Sequence, residues 1–534
     1  MRRRSPVQKS PVRDQHSDRR PAARRAFAPR AEALEGRLAL STLTVRNGLD
    51  SGPGSLRQAV LTANVAPGPD TIVFAGTVHR IGLTGGALQV TDALSIAGPG
   101  ANRLTVSGND ASRVLEIAPG ASAVVSGLTI TAGRAAGDAP AYPSTGGGIL
   151  NQGTLALTGV TVAGNRAVGD PNVILSTHPI FNSLGGAVGG GLANFGTLTV
   201  TRSTFADNQV LGADDADASA LPFPGFAGNA LGGGLANFGA AGVVDSDFTG
   251  NLARAGDGGR GAFAGIGGGG AILNDASLAV AGSSFRQNLG VGGDAGSSPS
   301  HNGHGLGGAI MSGSLTALPP LGLPGADLTV DGSEFFQNQA LGGNDNRIDD
   351  PAPPLSEAPN NAYGGAIAAY QGTATIRTST VRLNQAVGGA GGEAGGKGSA
   401  GVGGGIFFYN FIGGVTGLVA DSAITDNAAV GGAGRDGVAG GDGLGGGIAV
   451  GSLGSPFGGP GSVVIANTTI ERNLAQGGAG GRGADGGNGL GGGLFRDGSS
   501  TVTVLASTIA RNRAKGGHGR AGGRPGLGLG ADIY

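Results

Sequence analysis

The sequence predicts an all-β protein whose short strands wind into stacked coils, and three observations predict it. The first is an internal repeat, whose clearest copy runs from Gly189 to Gly212, GGGLANFGTLTVTRSTFADNQVLG. Glycines precede an aliphatic residue, a short alternating run follows, and an apolar residue then stands three positions before an asparagine. The aliphatic recurs as Ile149, Leu192, Leu235, Ile272, Ile310, Ile367, Ile406, Ile448 and Leu494. The apolar-x-x-Asn ending recurs as Val162/Asn165, Phe205/Asn208, Phe248/Asn251, Phe285/Asn288, Phe335/Asn338, Val381/Asn384, Ile424/Asn427, Ile470/Asn473 and Ile509/Asn512. Nine linked pairs in one order are the mark of a repeat architecture. Length is the second observation: 534 residues exceed one compact core, whereas a repeat array grows by contacts between neighbours alone. Composition is the third. Glycine supplies 114 residues without the three-residue period of collagen, and the 39% of apolar residues recur regularly, which excludes wholesale disorder.

Taken in order, residues 1–40 hold 11 Lys/Arg against 4 Asp/Glu and show no hydrophobic periodicity. They read as a basic leader or export segment, with 1–30 disordered. Arg24-Arg25 before Ala26-Phe27 resembles a twin-arginine export signal, although the apolar segment that should follow is missing. The closing ALEGRLALS, with Leu34, Leu38 and Leu40, resembles a short leader motif of exported bacterial proteins with repeat bodies.

Residues 41–534 read as a single domain, with a cap and short coils over 41–145 and the nine repeats over 146–534. STLTVRN is a strand and NGLDSGPG a pair of turns. Ser55 then caps a helix that presents Leu56, Ala59, Val60 and Ala63 on one face. Pro67-Gly68-Pro69 stops that helix and DTIVF resumes as strand. The first coil of a stack exposes an apolar end and unpaired edges, which such a helix would cover. The order, with GSLRQA, resembles the N-terminal cap of bacterial right-handed parallel β-helix proteins. ALQVTDALSIAG, RLTVSG, RVLEIAPG and AVVSGLTITAG follow as alternating strands, about three coils without long insertions.

Within one repeat, alternation puts Leu198 and Val200 inside, and Phe205 enters the core one strand later. Glycines before Leu192 permit a tight corner. Asn208 falls at a turn, where asparagine tolerates the left-handed conformation and can bond to the coil above. Phe205, Phe248, Phe285 and Phe335 should stack, followed by Ile424, Ile470 and Ile509. Twelve or thirteen coils at about 4.8 Å each make a rod roughly 60 Å long. The repeats recur at about 37 to 57 residues, longer than the coil itself, and the surplus falls between each Asn and the next glycine cluster. Insertions at one corner should form a fringe on one side, ordered as extended polyglycine II arms where they are nearly pure glycine.

The repeated GGGLANFG and FADN passages resemble the paired GGA[ILV] and FxxN motifs of the polymorphic outer membrane protein repeats and autotransporter passengers. That resemblance covers residues 41 to about 530 and implies a right-handed single-stranded parallel β-helix. Those proteins end in a membrane β-barrel; here GLGLGADIY lacks the alternating strands of one, so self-translocation is not expected.

Chemistry is sparse. Residues 41–534 hold 24 basic and 32 acidic residues, which argues against nucleic acid as a partner, and no apolar run is long enough for a transmembrane helix. The chain has no cysteine, which rules out disulfides and thiolate metal sites. Parallel β-helices also carry polysaccharide lyases and glycoside hydrolases, which need clustered or paired carboxylates with a base. Asp214, Asp215 and Asp217 form one cluster; Asp345, Asp349 and Asp350, with Arg347, form another. Both lie in insertions, where acids usually solvate a loop. Gly303-His304-Gly305 resembles the GHG of polygalacturonases, but the NTD and RIK segments are missing, and Gly517-His518-Gly519 repeats the tripeptide in a glycine run. Gly431 to Ala439, GGAGRDGVA, resembles the calcium-binding nonapeptide and implies calcium at Asp436, although the unit is not tandem.

The expected function is that of a non-catalytic, exported bacterial surface or extracellular protein. It would contact polysaccharide or protein through its insertions. A lyase or hydrolase acting on acidic polysaccharide is the alternative.

Overall fold

The computed structural model describes residues 41–534, apart from 138–141, 177–181, 221–225, 261–262, 299–300, 314–324, 349–359, 392–396, 411–413, 454–458, 460 and 499. The chain divides into two units, Met1–Ala39 and Leu40–Tyr534. The first, with the leader and its export resemblances, lies outside the described residues.

The second unit opens with β1 (Thr42–Val45), then α1 (Leu56–Ala63), then β2 (Asp70–Phe74), which pairs in parallel with β1. Ser55 Oγ accepts from Gln58 N at 3.2 Å, so the cap satisfies one of the amides that a helix start leaves free. Leu56, Ala59, Val60 and Ala63 are buried, as their spacing requires. Asp50 fastens the cap to the first coil: it takes Arg57 Nη2 at 2.8 Å and the amides of Thr84 and Gly85 at 3.0 and 2.6 Å.

Three parallel sheets then build the body. The first has 13 strands, from Thr42–Val45 to Thr501–Leu505; the second has 12, from Arg80–Gly82 to Thr508–Ala510; the third has 11, from Leu88–Val90 to Leu494–Arg496. Neighbouring strands in each sheet come from successive coils and stay in register, as in Leu155↔Leu198↔Ala241↔Leu278↔Leu328. This is a single-stranded parallel β-helix, and crossovers between parallel strands of one sheet wind right-handed.

Each coil contributes the same inner set. Leu192, Leu198, Val200 and Phe205 are all at most 1% exposed, and a single apolar core runs from Val45 to Leu494. Phe205, Phe248, Phe285 and Phe335 stack with ring centroids 4.8, 5.0 and 4.7 Å apart, the spacing of parallel strands.

The asparagine row behaves differently from expectation in one respect. From Asn165 to Asn512 each Nδ2 donates to the Oδ1 of the next coil at 2.9–3.0 Å, ending on Asp532. The left-handed residue, however, is the one before: Asp207, Gln287, Gln337, Leu383, Asp426, Arg472 and Arg511 have φ of 53° to 58°. Asparagine stands there because its amide both donates and accepts, which a buried corner needs. A second row, Asn151, Asn194, Asn237 and Asn274, is bonded in the same way and ends on Ser312.

The described parts of the insertions form a second layer rather than a free fringe. A fourth sheet of ten strands (Arg134–Ala135 to Arg513–Lys515) leaves each coil, and a fifth of nine (Ala187–Val188 to Gly528–Leu529) returns to it. The return strands set Val188, Leu231, Leu306, Tyr363 and Val402 against Leu273, Met311, Phe407 and Phe495 on the outer face of the third sheet. From Ile149–Asn151 to Ile448–Gly451 that sheet is therefore buried on both faces, whereas Gln89 on its first strand is exposed.

Beyond these strands the glycine arms interleave, outgoing and returning in turn. Gly441 N donates to Gly432 O at 2.9 Å, Gly478 to Gly441 at 2.8 Å, Gly487 to Gly478 at 2.9 Å and Gly517 to Gly487 at 2.8 Å. A Cβ on Gly432 would lie 1.8 Å from Gly389 O, so only glycine permits this approach.

Candidate functional site

Where the second sheet turns into the fourth, the left-handed residue before the buried asparagine is glycine at 164 and 250 and elsewhere carries an outward side chain, as at Gln287, Gln337, Leu383, Asp426, Arg472 and Arg511. The first residue of the following strand lies beside it. In the coils from Gln287 onward these positions line a groove, in two reaches. In its middle reach Gln287, Gln337, Gln339, Leu383 and Gln385 enclose about 430 Å³, and Gln287 Nε2 donates to Gln337 Oε1 at 3.3 Å. Further along, Asp426, Arg472, Gln476, Arg511, Arg513 and Lys515 line about 1110 Å³. Strand register joins the two reaches: Gln339 pairs with Gln385, Gln385 with Ala428, Ala428 with Leu474, and Leu474 with Arg513.

An ion-pair chain borders the groove. Glu334 bridges Arg286 at 2.7 Å and Arg382 at 3.1 Å, and the Arg382 guanidinium lies 4.2 Å from the centre of the Phe336 ring. Arg472 grips Asp426 through Nε and Nη2 at 2.8 and 2.9 Å, and Glu471 joins Arg472 to Arg511 at 3.3 and 3.1 Å. The hydrogen bond from Arg472 is the main cause that holds the Asp426 carboxyl below its ordinary range. A general acid would need the opposite shift.

The acids picked out in the sequence are spent on the scaffold where they are described. Asp214 accepts from Asp257 N at 2.9 Å, Asp257 from Asp294 N at 2.9 Å and Asp294 from Asn344 N at 2.6 Å, a column binding successive arms. Asp215 and Asp345 take left-handed turn positions. Asp217 accepts from Ser219 N at 3.0 Å, and bonds from Ser219 hold its carboxyl low. Asp349, Asp350 and the Arg347 side chain lie outside the described residues. His304 is 2% exposed beneath the fifth sheet, where its Nδ1 accepts from Asn361 N at 3.1 Å, while His518 is exposed. Asp436 is exposed, and its Oδ1 accepts from Arg482 N at 3.2 Å. Among the described residues no three His, Cys, Asp or Glu side chains gather closely enough to hold a metal ion.

The groove residues carry no sequence motif. They change from coil to coil, and only the stacking of residues about 40 positions apart makes them neighbours. The one sequence signal was the invariant asparagine next door.

No family model matches the chain, and no curated protein matches it. Among solved structures it is similar to tailspike protein 3 of bacteriophage CBA120, with 10% identity, TM-score 0.29 and 85% of this chain covered. It spans only 57% of that tailspike chain. It is also similar to the catalytic domain of a GH87 alpha-1,3-glucanase in complex with nigerose, with 12% identity, TM-score 0.29, and 86% of this chain and 68% of that one covered. Neither likeness carries an activity across, because one backbone architecture hosts unrelated functions.

Proposed function

We propose that this is a non-catalytic, exported surface or extracellular protein that holds an extended polysaccharide along the groove between its second and fourth sheets. The observation that carries the reading is the groove itself, where Gln287 and Gln337, and further on Arg472 and Arg511, stand on successive coils at a spacing of about 4.8 Å. Primary amides present donors and acceptors together, which suits sugar hydroxyls. The groove carboxylate Asp426 is bound to an arginine and held ionised, a poor starting point for glycosidic acid catalysis. The described insertions are occupied in packing the outer face of the third sheet, which leaves the groove as the better place for contact than the insertions first expected. Among the described residues no helix is long and apolar enough to cross a membrane.

The test is a binding screen of the full chain against neutral and acidic polysaccharides, followed by assays for new reducing ends and unsaturated products. Binding that weakens in a Gln337→Ala/Gln339→Ala variant, without product formation, is the expected result. Cleavage that disappears in Asp426→Asn would replace the reading with the hydrolase or lyase alternative.

A further inference from the structure

We propose that the C-terminal reach of the groove recognises the anionic groups of a sparsely charged acidic polysaccharide, an inference that rests on the groove being a polysaccharide site. The two reaches occupy equivalent positions in the coil but differ in charge. The left-handed position is Gln287, Gln337 and Leu383 in the middle reach and Asp426, Arg472 and Arg511 in the later one, where the one acid is already held by Arg472. In the fourth sheet, Ala428 and Leu474 give way to Arg513, and Val430 and Gln476 to Lys515. Four cations face one carboxylate in the lining. Arg472 is committed to Asp426, and Arg511 is bonded to Glu471. Arg513 and Lys515 are exposed and, among the described residues, make no ion pair.

This concentration stands against the rest of the chain. Residues 511–534 hold five Lys/Arg and one acid, a balance of +4, whereas residues 41–510 hold 19 basic and 31 acidic residues, a balance of −12. Charges on a last strand can also serve to block edge-to-edge pairing. That need would apply to every sheet in the last coil. Yet the last strands of the first and second sheets, Thr501–Leu505 and Thr508–Ala510, carry no charge and leave Val504 and Leu505 38% and 53% exposed. The cations gather at the groove corner and in the arm beyond it, Arg520 and Arg524, so edge protection does not account for them.

The neutral middle reach selects among anionic polymers. A nucleic acid has a phosphate on every unit and would lay charge along the glutamines beside an acidic body. A polysaccharide with occasional acidic sugars would meet glutamine with hydroxyls and the guanidinium forks with carboxylate or sulfate. The groove lining also offers no aromatic ring on which bases could stack.

The experiment measures binding of the full chain, at low and high salt, to hyaluronan and gellan fragments, in which only one sugar in two or in four is acidic. The controls are the carboxyl-reduced, neutral forms and a single-stranded DNA of equal length. We expect at least one acidic fragment to bind, with affinity about tenfold or more above its reduced form and falling as salt rises. Arg513→Gln/Lys515→Gln should abolish that preference while the melting curve stays put. If reduced and acidic forms bind alike, and only Gln337→Ala/Gln339→Ala weakens them, the charge inference fails and the groove reading stands. If no saccharide binds, both fail. Tighter binding of DNA than of any acidic fragment overturns the inference as well.

Discussion

Two rows of side chains run through the same coils one residue apart and obey opposite rules. The asparagine row, Asn165 to Asn512, keeps one residue type in nine successive coils, and its first eight members are 0% exposed. The row just before it reads Gly164, Asp207, Gly250, Gln287, Gln337, Leu383, Asp426, Arg472 and Arg511. The backbone geometry is shared, so the difference lies in burial. A buried amide must find its partners inside the protein, and only one side chain closes that circuit from coil to coil. An outward position has water as its alternative partner and is free to vary. Constancy in this protein marks scaffold, and variation marks the surface where recognition can be written.

The comparison breaks most visibly at the asparagines. In Asn338→Ala the amides of Asn288 lose their acceptor, and Phe285 O and Asn384 Oδ1 lose a donor. The expected loss is roughly 3–5 kcal/mol, read as a lower urea midpoint. Hydrogen exchange should place the damage in the flanking coils, because a repeat array transmits it only to neighbours. The matched change Gln337→Ala, one residue earlier, should stay within about 0.5 kcal/mol. Equal losses from the two would collapse the distinction.

Next in size is the second layer. In Gly432→Ala the new Cβ must displace Gly389 O, and overpacking of this kind costs about 1–3 kcal/mol. Protease sensitivity should rise in the glycine arms while the Phe205–Phe335 stack keeps its exchange protection. A cost near zero would show that the arms do not pack as closely as their interleaving implies.

The smallest effect sharpens the groove side. Asp426 has its carboxyl lowered from 3.8, first by the hydrogen bond from Arg472. The pair's contribution is complete above 3.8 and is lost as pH falls through the lower folded value. Arg472→Gln should move the carboxyl titration of Asp426, followed by NMR, upward toward its ordinary position. With both side chains at the surface, stability at neutral pH should scarcely change. An unmoved titration would detach Asp426 from Arg472.

Much of the fold was legible in the residues. Periodic glycine, aliphatic and apolar-x-x-Asn positions announce stacked coils, and the inner set Leu192, Leu198, Val200 and Phe205 follows from alternation. The Ser55 cap and the buried face of α1 were equally readable, because both depend on local spacing. The second core was not. Its third-sheet members range from Ala236 to Met311 and Phe407, so they form no recurring pattern, and their partners return from arms of unequal length. The Asn151–Asn274 row was not legible, because asparagine holds that position in only four coils before Ser312 and Ala369 replace it. The groove was the least readable part, since Arg472 and Arg511 share no motif with Gln337.

By itself the sequence determined the coil: strand lengths, inward residues, corner glycines, the asparagine ladder and the capping helix. Each of these is set within one repeat by period-two alternation, backbone freedom or hydrogen-bonding capacity. Tertiary structure alone decided what the repeats make together. Parallel register turned varying outward residues into a groove with a neutral and a basic reach, and folding back of the glycine arms buried a sheet on both faces. Both depend on contacts between residues some 40 positions apart, whose chemistry is readable singly but whose adjacency is fixed only when the coils stack.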